Sequence, residues 1–406
     1  VAALVGCFLS LFEELNAIET PFYLYDMNLL NRTLNKAKEA ADKRGYFIHY
    51  ALKANNNNPL LIAIRERGFG VDCVSGNEVS KALEMGFSPD TIDFAGIGKT
   101  DEEIETALNA EIFSLNVESI EELEVIDEIA GKIGKIANVS LRINPNIDAH
   151  THKNITTGLS ENKFGLDLTM LPKLVDRLHA FKNVELKGLH FHVGSQILDL
   201  NVFKELAQKA SQLNHYFYNQ GFKFKHINMG GGLGVSYKNP SNESIVDFEA
   251  FFKVFEENLS LPQGMKVHFE LGRALVAQSG ILITKVVFVK KGLTKKFLIL
   301  DGGMTDLIRP ALYQAFHLTE NISREEVSET YDVVGPICES TDCFGENLVL
   351  STSYRGDLVA IYTTGAYGQV MSSKYNMRDK AKAYYVANGI LYTEKDYLHA
   401  INAEKE

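Results

Sequence analysis

Cysteine is scarce in this chain, with four residues (Cys7, Cys73, Cys338, Cys343) among 406. That is too few for a disulfide framework, and no histidine sits near Cys338 or Cys343 at zinc-ligand spacing. A reduced, cytoplasmic protein without a metal site is expected. Positive charge is also short. Lys and Arg number 41 against 52 Asp and Glu, a formal charge of −11. Nucleic acid and anionic membranes reward surplus positive charge, so neither is expected as a partner. No run approaches the roughly 20 apolar residues of a membrane span. The opening stretch Val1–Phe12 is apolar but has no leading Lys or Arg. It reads as a first buried segment rather than the core of a secretion signal, and the missing initiator methionine fits a processed end. Internal repeats, low-complexity tracts and flexible linkers are lacking too. What remains is a globular composition, 45% hydrophobic and 23% charged, long enough for one large domain and a second.

One pattern fills residues 45 to 275. Eight short apolar runs (Phe47–Lys53, Phe69–Ser75, Thr91–Gly96, Phe113–Val117, Asn138–Asn144, Glu185–Gly194, His226–Gly232, Lys266–Arg273) alternate with stretches such as Asn77–Met85 and Glu118–Ile129. Those stretches place apolar residues at helical spacing. Strand-helix alternation predicts parallel strands joined by crossover helices, and eight units suit a closed (β/α)8 barrel. A doubly wound open sheet is the alternative. After residue 280 the runs Ile281–Val289, Lys296–Leu300, Asp332–Gly335, Leu358–Tyr362 and Ile390–Tyr392 predict a mainly antiparallel β domain. Pro21–Tyr25 is expected to join that sheet. The expected division is an N-terminal segment 1–27, a barrel 28–278 and a β domain 279–406.

Barrel chemistry gathers where the strands end, and the unusual residues fall there. Lys53 ends the first run, and the second contains Asp72. Arg142 and Asn144 end the fifth run, and His190, His192, Gly194 and Ser195 end the sixth. Gly230-Gly231-Gly232-Leu-Gly234 ends the seventh, and Glu270, Gly272 and Arg273 end the eighth. Lys53 is a surface lysine or an amine of lowered pKa able to form a Schiff base. The glycines are a tight turn or helix cap, or they let backbone N–H groups reach a phosphate at a helix N-terminus. The Gly-x-Gly-x-x-Gly spacing of a dinucleotide site is absent. His190 and His192 share one face of their strand, as core histidines or as an imidazole lying on an aromatic ring. Glu270 and Arg273 form a local ion pair, or the carboxylate keeps a pyridine nitrogen protonated and the ring an electron sink. Together these groups specify pyridoxal phosphate as the cofactor.

The chain resembles the fold-type III, or alanine-racemase-like, pyridoxal phosphate enzymes, and within them the decarboxylase branch. The resemblance runs from about Thr20 to Tyr375. It rests on Tyr50-Ala-Leu-Lys-Ala-Asn55, His190-Phe-His-Val-Gly-Ser-Gln196, Gly230–Gly234 and Glu270-Leu-Gly-Arg273. Gly302-Gly-Met-Thr-Asp-Leu-Ile-Arg-Pro-Ala-Leu-Tyr313, Gly335-Pro-Ile-Cys-Glu-Ser-Thr-Asp342 and Gly365-Ala-Tyr-Gly368 extend it. Leu271 stands where the family usually has proline, and the segment after Tyr375 follows the family only loosely.

The resemblance implies an alanine racemase-like fold and catalysis by Lys53, carrying the cofactor's Schiff base, and Cys338, the general acid. It assigns the cofactor to Lys53, Asp72, His192, Ser195, Gly231, Gly232, Glu270, Gly272, Arg273 and Tyr367. His192 stacks on the ring and Glu270 pairs with its nitrogen. It implies a homodimer with active sites shared across the interface, where Cys338 and Glu339 serve the partner's cofactor. The implied reaction is decarboxylation of meso-diaminopimelate to L-lysine and CO2, the last step of lysine biosynthesis. Substrate binding falls to Arg273, Arg309, Tyr313, Glu339 and Tyr367. Arg309 is the main argument for that substrate, since a guanidinium fork suits its distal carboxylate and ornithine offers none. An arginine paired in the dimer interface is the alternative reading of Arg309. Decarboxylation of ornithine, arginine or carboxynorspermidine, racemisation, and a non-catalytic cofactor-binding protein are the competing functions.

Overall fold

A computed structural model describes residues 11–148, 163–325 and 327–403. Strand β1 (Phe22–Asp26) comes first. Eight strands follow: β2 (Tyr46–Ala51), β3 (Gly70–Cys73), β4 (Ile92–Phe94), β5 (Ser114–Val117), β6 (Ala137–Arg142), β7 (Val184–His190), β8 (His226–Asn228) and β9 (Lys266–Leu271). They pair in chain order, all parallel, and β9 closes on β2 to complete a barrel. Each begins within one residue of an expected run. The open-sheet alternative is therefore excluded. The crossover helices follow local rules. Helix Ile120–Ile133 starts at Ser119, whose hydroxyl accepts the Glu122 N–H, and ends at Gly134, where φ is +68°. Its buried face is Leu123, Ile126, Ile129 and Ala130.

Eight further strands follow the barrel: β10 (Gly280–Lys291), β11 (Lys296–Leu300), β12 (Thr319–Asn321), β13 (Ser328–Val334), β14 (Cys343–Ser351), β15 (Leu358–Ile361), β16 (Lys382–Ala387) and β17 (Ile390–Thr393). The sheet runs β14-β13-β11-β10-β1-β16-β17, with β15 on β10 and β12 on β15. Pairing is antiparallel except for β1 with β16 and β11 with β13. As expected, the strand that precedes the barrel joins this sheet. Leu11 and Leu15 of the N-terminal segment are buried against Phe22, Ile283 and Leu358, while Cys7 and the rest of residues 1–10 lie outside the described residues.

The barrel interior is unusual. Aliphatic layers are the rule, but here polar side chains meet across it. Asn228 on β8 donates to Asp93 on β4 at 2.8 Å, and these strands are not neighbours. His226, two residues before Asn228 on β8, lies beside His49 on β2 and His268 on β9. His49 donates from Nδ1 to the Thr91 carbonyl (3.1 Å), so its Nε2 accepts from His268 Nδ1 (2.8 Å). His226 bonds Ser140 at 2.8 Å, and Phe113 packs on all three imidazoles. Burial pushes His226 down to about 3, so it folds neutral. The unfolded chain then binds the extra proton, and this stability is present above pH about 6.5 and lost as pH falls. His226→Asn is expected to reduce the loss of unfolding free energy between pH 7.5 and 5.5 by about 1.4 kcal/mol. Denaturant titrations of both proteins at the two pH values measure it. An unchanged difference would mean that His226 is not a buried neutral imidazole.

Candidate active site

A cavity of about 630 Å³ opens at the carboxyl ends of the barrel strands. Lys53, His190, His192, Ser195, Gly232, Glu270, Gly272, Arg273, Arg309, Tyr313 and Tyr367 all line it. Distant stretches of sequence thus converge, including two from the β domain.

Lys53 sits in a turn of 3-10 helix just past β2, its Nζ 3.3 Å from Asp72 Oδ2. The expected lowering of its pKa is not what the structure shows. Burial lowers the ammonium, but Asp72, Tyr367 and Glu270 outweigh it and hold it above its ordinary value. The side chain is 37% exposed to the open cavity, which weakens the burial contribution further. Asp72 does not line the cavity and reaches it through Lys53. Burial, reinforced by Glu270, pushes Asp72 up to about 6 despite the adjacent ammonium.

Glu270 and Arg273 do not pair with each other. Glu270 Oε1 accepts from Asn228 Nδ2 at 2.8 Å and from Asn116 Nδ2 at 3.4 Å. His190 Nε2 also lies 2.9 Å from it, without hydrogen-bond geometry. Burial holds His190 neutral, down to about 3, so this contact is not an ion pair. Burial pushes Glu270 up to about 7, against the pull of Lys53 and Arg142. Arg273 donates to Tyr237 Oη (2.5 Å) and Ser195 Oγ (2.9 Å), and its guanidinium lies 4.9 Å from the Tyr367 ring centre. Its Nε is buried without a partner.

The glycine loop is required by space as well as by conformation. Gly230 has φ +69° and Gly232 φ +105°, the left-handed region that penalises a Cβ. A Cβ on Gly231 would stand 2.0 Å from the Glu270 carbonyl oxygen. Asn228 Oδ1 accepts the Gly230 N–H at 2.9 Å, so one amide ties this loop to Glu270. The helix expected after the loop is not there, because the chain stays irregular until Phe248. The loop instead braces Ser195–Ile197, with Ile197 N–H donating to Gly232 O at 2.9 Å. His192 lines the cavity beside it, and its Nδ1 accepts the Gly231 N–H at 3.3 Å. Burial, with Arg142 next, holds His192 well below the usual imidazole range.

Cys338 and Glu339 do not line this chain's cavity. Both are exposed, and the Glu339 carboxylate accepts from Tyr375 Oη at 2.8 Å. Their loop is held by Asp342, which accepts the N–H groups of Ile337 and Met304, each at 2.6 Å.

Four residue sets beyond the expected ones bear on the cavity. Arg142 lines it, paired with buried Glu118 at 2.6 Å and packed 4.9 Å from the Phe164 ring centre. Asn228 and Asp93 support Glu270, Tyr237 touches both arginines, and His317 bonds Arg309. For Arg142 the signal was its place at a strand end. For Asn228 and Asp93 it was a polar residue inside an apolar run. Tyr237 and His317 carry no local signal.

The residues present fit pyridoxal phosphate. A cavity amine, a buried carboxylate, a glycine loop whose backbone is laid bare, and an arginine with an unpartnered buried Nε match its aldehyde, ring nitrogen and phosphate. Among the described residues no three His, Cys, Asp or Glu side chains are arranged to hold a metal ion, and no helix is long and apolar enough to cross a membrane.

Comparison with known proteins gives the same answer from a different direction. Residues 27–277 match the family described as pyridoxal-dependent decarboxylase, pyridoxal binding domain. Diaminopimelate decarboxylase of Bacteroides thetaiotaomicron is 51% identical over 373 residues, 92% of this chain and 97% of that one. The Aquifex aeolicus enzyme of the same name is 39% identical, over 94% of this chain and 90% of that one. The crystal structure of Helicobacter pylori diaminopimelate decarboxylase complexed with L-lysine superposes with a TM-score of 0.89. It is 39% identical and covers 97% of this chain and 100% of that one. Matched over most of its length by the family model and by relatives of one name, the chain belongs to the diaminopimelate decarboxylase family of pyridoxal-dependent decarboxylases.

Proposed function

We propose that the cavity decarboxylates meso-diaminopimelate to L-lysine and CO2, with pyridoxal phosphate bound through Lys53. One observation carries the choice of substrate. Arg273 and Arg309 are each 5% exposed and line one cavity, yet neither has a carboxylate partner among the described residues. Two buried guanidiniums without anions are costly. A cofactor phosphate answers one, and a distal substrate carboxylate answers the other.

When bound, the pyridoxal ring supplies the electron sink into which the Cα–carboxylate bond breaks. The chain's own residues bind, orient and move protons. Lys53 Nζ must lose a proton before it can condense with an aldehyde, and Asp72 Oδ2 at 3.3 Å orients the amine group in the cavity. Glu270 holds a proton at the ring nitrogen, and Asn228 and Asn116 hold Glu270. His192 packs on the ring face. Ser195, Gly231, Gly232, Gly272, Arg273 and Tyr367 hold the phosphate. Arg309 and Tyr313 receive the distal carboxylate, to which Arg273 and Tyr367 also contribute. In a homodimer, Cys338 of the partner subunit delivers the proton to Cα and Glu339 of the partner subunit receives the distal ammonium. A reduced cytoplasmic setting fits the three described cysteines, all free thiols.

Purified protein with added pyridoxal phosphate should release CO2 and lysine from meso-diaminopimelate. Ornithine, arginine and carboxynorspermidine should give no amine product. Turnover of one of these instead would overturn the assignment of Arg309.

The shared site has its own test. Lys53→Ala and Cys338→Ala chains, each nearly inactive alone, should recover up to about a quarter of wild-type activity when mixed and allowed to exchange subunits. One site in each mixed dimer is then intact. No recovery, with exchange shown by mass spectrometry, would place Cys338 outside the neighbouring site.

A further inference from the structure

His317 is the strongest buried polar group that the mechanism leaves unused. It is 1% exposed, at the start of the stretch leading into β12. Its Nδ1 lies 2.9 Å from the Tyr362 carbonyl oxygen. A carbonyl can only accept, so the ring proton is on Nδ1 and Nε2 keeps a lone pair. That lone pair accepts the Arg309 Nε–H at 3.2 Å. Burial, then Arg309, pushes the imidazole down to about 3, so the acceptor is not lost to protonation at neutral pH. Both ring nitrogens are therefore committed.

The consequence falls on Arg309. A guanidinium has five N–H donors in a fixed plane. With Nε–H taken by His317, the terminal amino groups are left for another partner. The ring centres of Tyr237 and Tyr313 lie 5.2 and 5.8 Å from the guanidinium carbon. Tyr237 also stands edge-on to His317 at 4.9 Å and accepts from Arg273 at 2.5 Å. The plane of Arg309 is thus fixed by one hydrogen bond and the rings beside it, with no carboxylate among the described residues to neutralise it.

We propose that His317 is a positioning residue for substrate specificity: it occupies the Nε–H of Arg309 so that the two terminal amino groups are presented, still uncompensated, to a distal carboxylate. An acidic residue in the same place would orient Arg309 equally well but would cancel the charge the substrate needs. A neutral imidazole orients the fork and leaves its charge available. The inference rests on the reading of Arg309 as the carboxylate receptor.

The test compares kcat and KM for meso-diaminopimelate, in holoenzyme, for four variants of matched thermal stability. A contact made equally with the bound substrate and the transition state is read in KM, and the distal carboxylate, which does not change in the reaction, makes such a contact. Arg309→Lys should raise KM at least about 100-fold. His317→Phe keeps the ring volume but no acceptor, and should raise KM about 10- to 100-fold with kcat within about 3-fold. His317→Gln can place its carbonyl oxygen near the Nε2 position and should restore most of that loss. His317→Asn is too short to reach Arg309 and should not, which keeps the comparison decisive should the phenylalanine variant fail to fold. A normal KM in Arg309→Lys would remove the receptor reading and this inference together. An impaired Arg309→Lys with a normal KM in His317→Phe, or equal KM values in His317→Gln and His317→Asn, would overturn the role of His317 alone.

Discussion

Lys53→Ala is expected to lower turnover of meso-diaminopimelate by at least about 10⁴-fold while leaving a folded chain. The size of the effect follows from the residue's double duty. Lys53 supplies the only lysine amine lining the cavity near Asp72 among the described residues, since the other lining lysine, Lys99, is tied to Glu122 at 2.7 Å. In the proposed role, its loss would remove both the amine that holds the cofactor and the amine that returns to release product. The fold should survive because Lys53 lies in a three-residue turn with part of its side chain exposed to the cavity. Its removal leaves Asp72 without its cation, but burial and Glu270 already raise Asp72 to about 6. Without the ammonium the carboxyl should bind a proton near neutral pH rather than remain as a buried charge. Absorbance of protein-bound pyridoxal after borohydride treatment and gel filtration reads the first duty, and product formation reads the second. Near-normal activity in a purified variant that retains no borohydride-fixed cofactor would sink the assignment.

The barrel was legible because each parallel strand is buried on both sides and so appears as a short apolar run between helical stretches. All eight starts fall within one residue of expectation. The β domain was less legible. Strand β14 carries Gly345, Glu346 and Asn347 in its middle and lies at the sheet edge, where one side faces water and alternation weakens. Strand β12 spans three residues and holds its place by pairing with β15, which sequence spacing cannot reveal. The same division applies to the site. Lys53, Glu270 and the glycines stand at strand ends, where chemistry is expected. The histidines and acids below them occupy positions that ordinary barrels fill with Val, Ile or Leu. His49, His226, His268, Asp93 and Asn228 become intelligible only when hydrogen bonds across the barrel are seen. The lowered pKa expected for Lys53 failed for a related reason. Asp72 lies 19 residues away in sequence but on the adjacent strand, and its charge joins those of Tyr367 and Glu270 to outweigh burial.

Glu270→Gln should separate catalysis from stability, moving them in opposite directions. The carboxylate is 5% exposed, and its charge has no cation within 4 Å among the described residues except the neutral His190 contact. Burial raises it from 4.5 to about 7. A folded pKa above the unfolded one means that the folded apoprotein holds the proton more tightly. The stability this contributes is fully present below pH about 4.5 and is lost as pH rises through about 7. At pH 8 the ionised carboxylate is therefore a net burden on the apoprotein. Glutamine has the same shape, keeps an oxygen to accept from Asn228, and carries no charge. The variant apoprotein should be more stable than wild type at pH 8 by about 1–3 kcal/mol, with the gain shrinking to about a quarter of that at pH 5. In the holoenzyme the result should reverse. Glutamine cannot hold a proton at a ring nitrogen by charge, so kcat/KM should fall about 10²- to 10³-fold, the loss typical of one preorganised electrostatic contact. Denaturant titrations of the apoproteins at pH 5 and 8 give the first quantity, and steady-state kinetics give the second. A variant less stable than wild type at pH 8 would mean that Glu270 is compensated by a partner that this chain alone does not supply. A variant with unimpaired kcat/KM would remove Glu270 from the ring nitrogen. The expected pairing, more stable and less active, is what a strained functional carboxylate produces: its desolvated charge opposes folding until a cationic ring arrives to balance it.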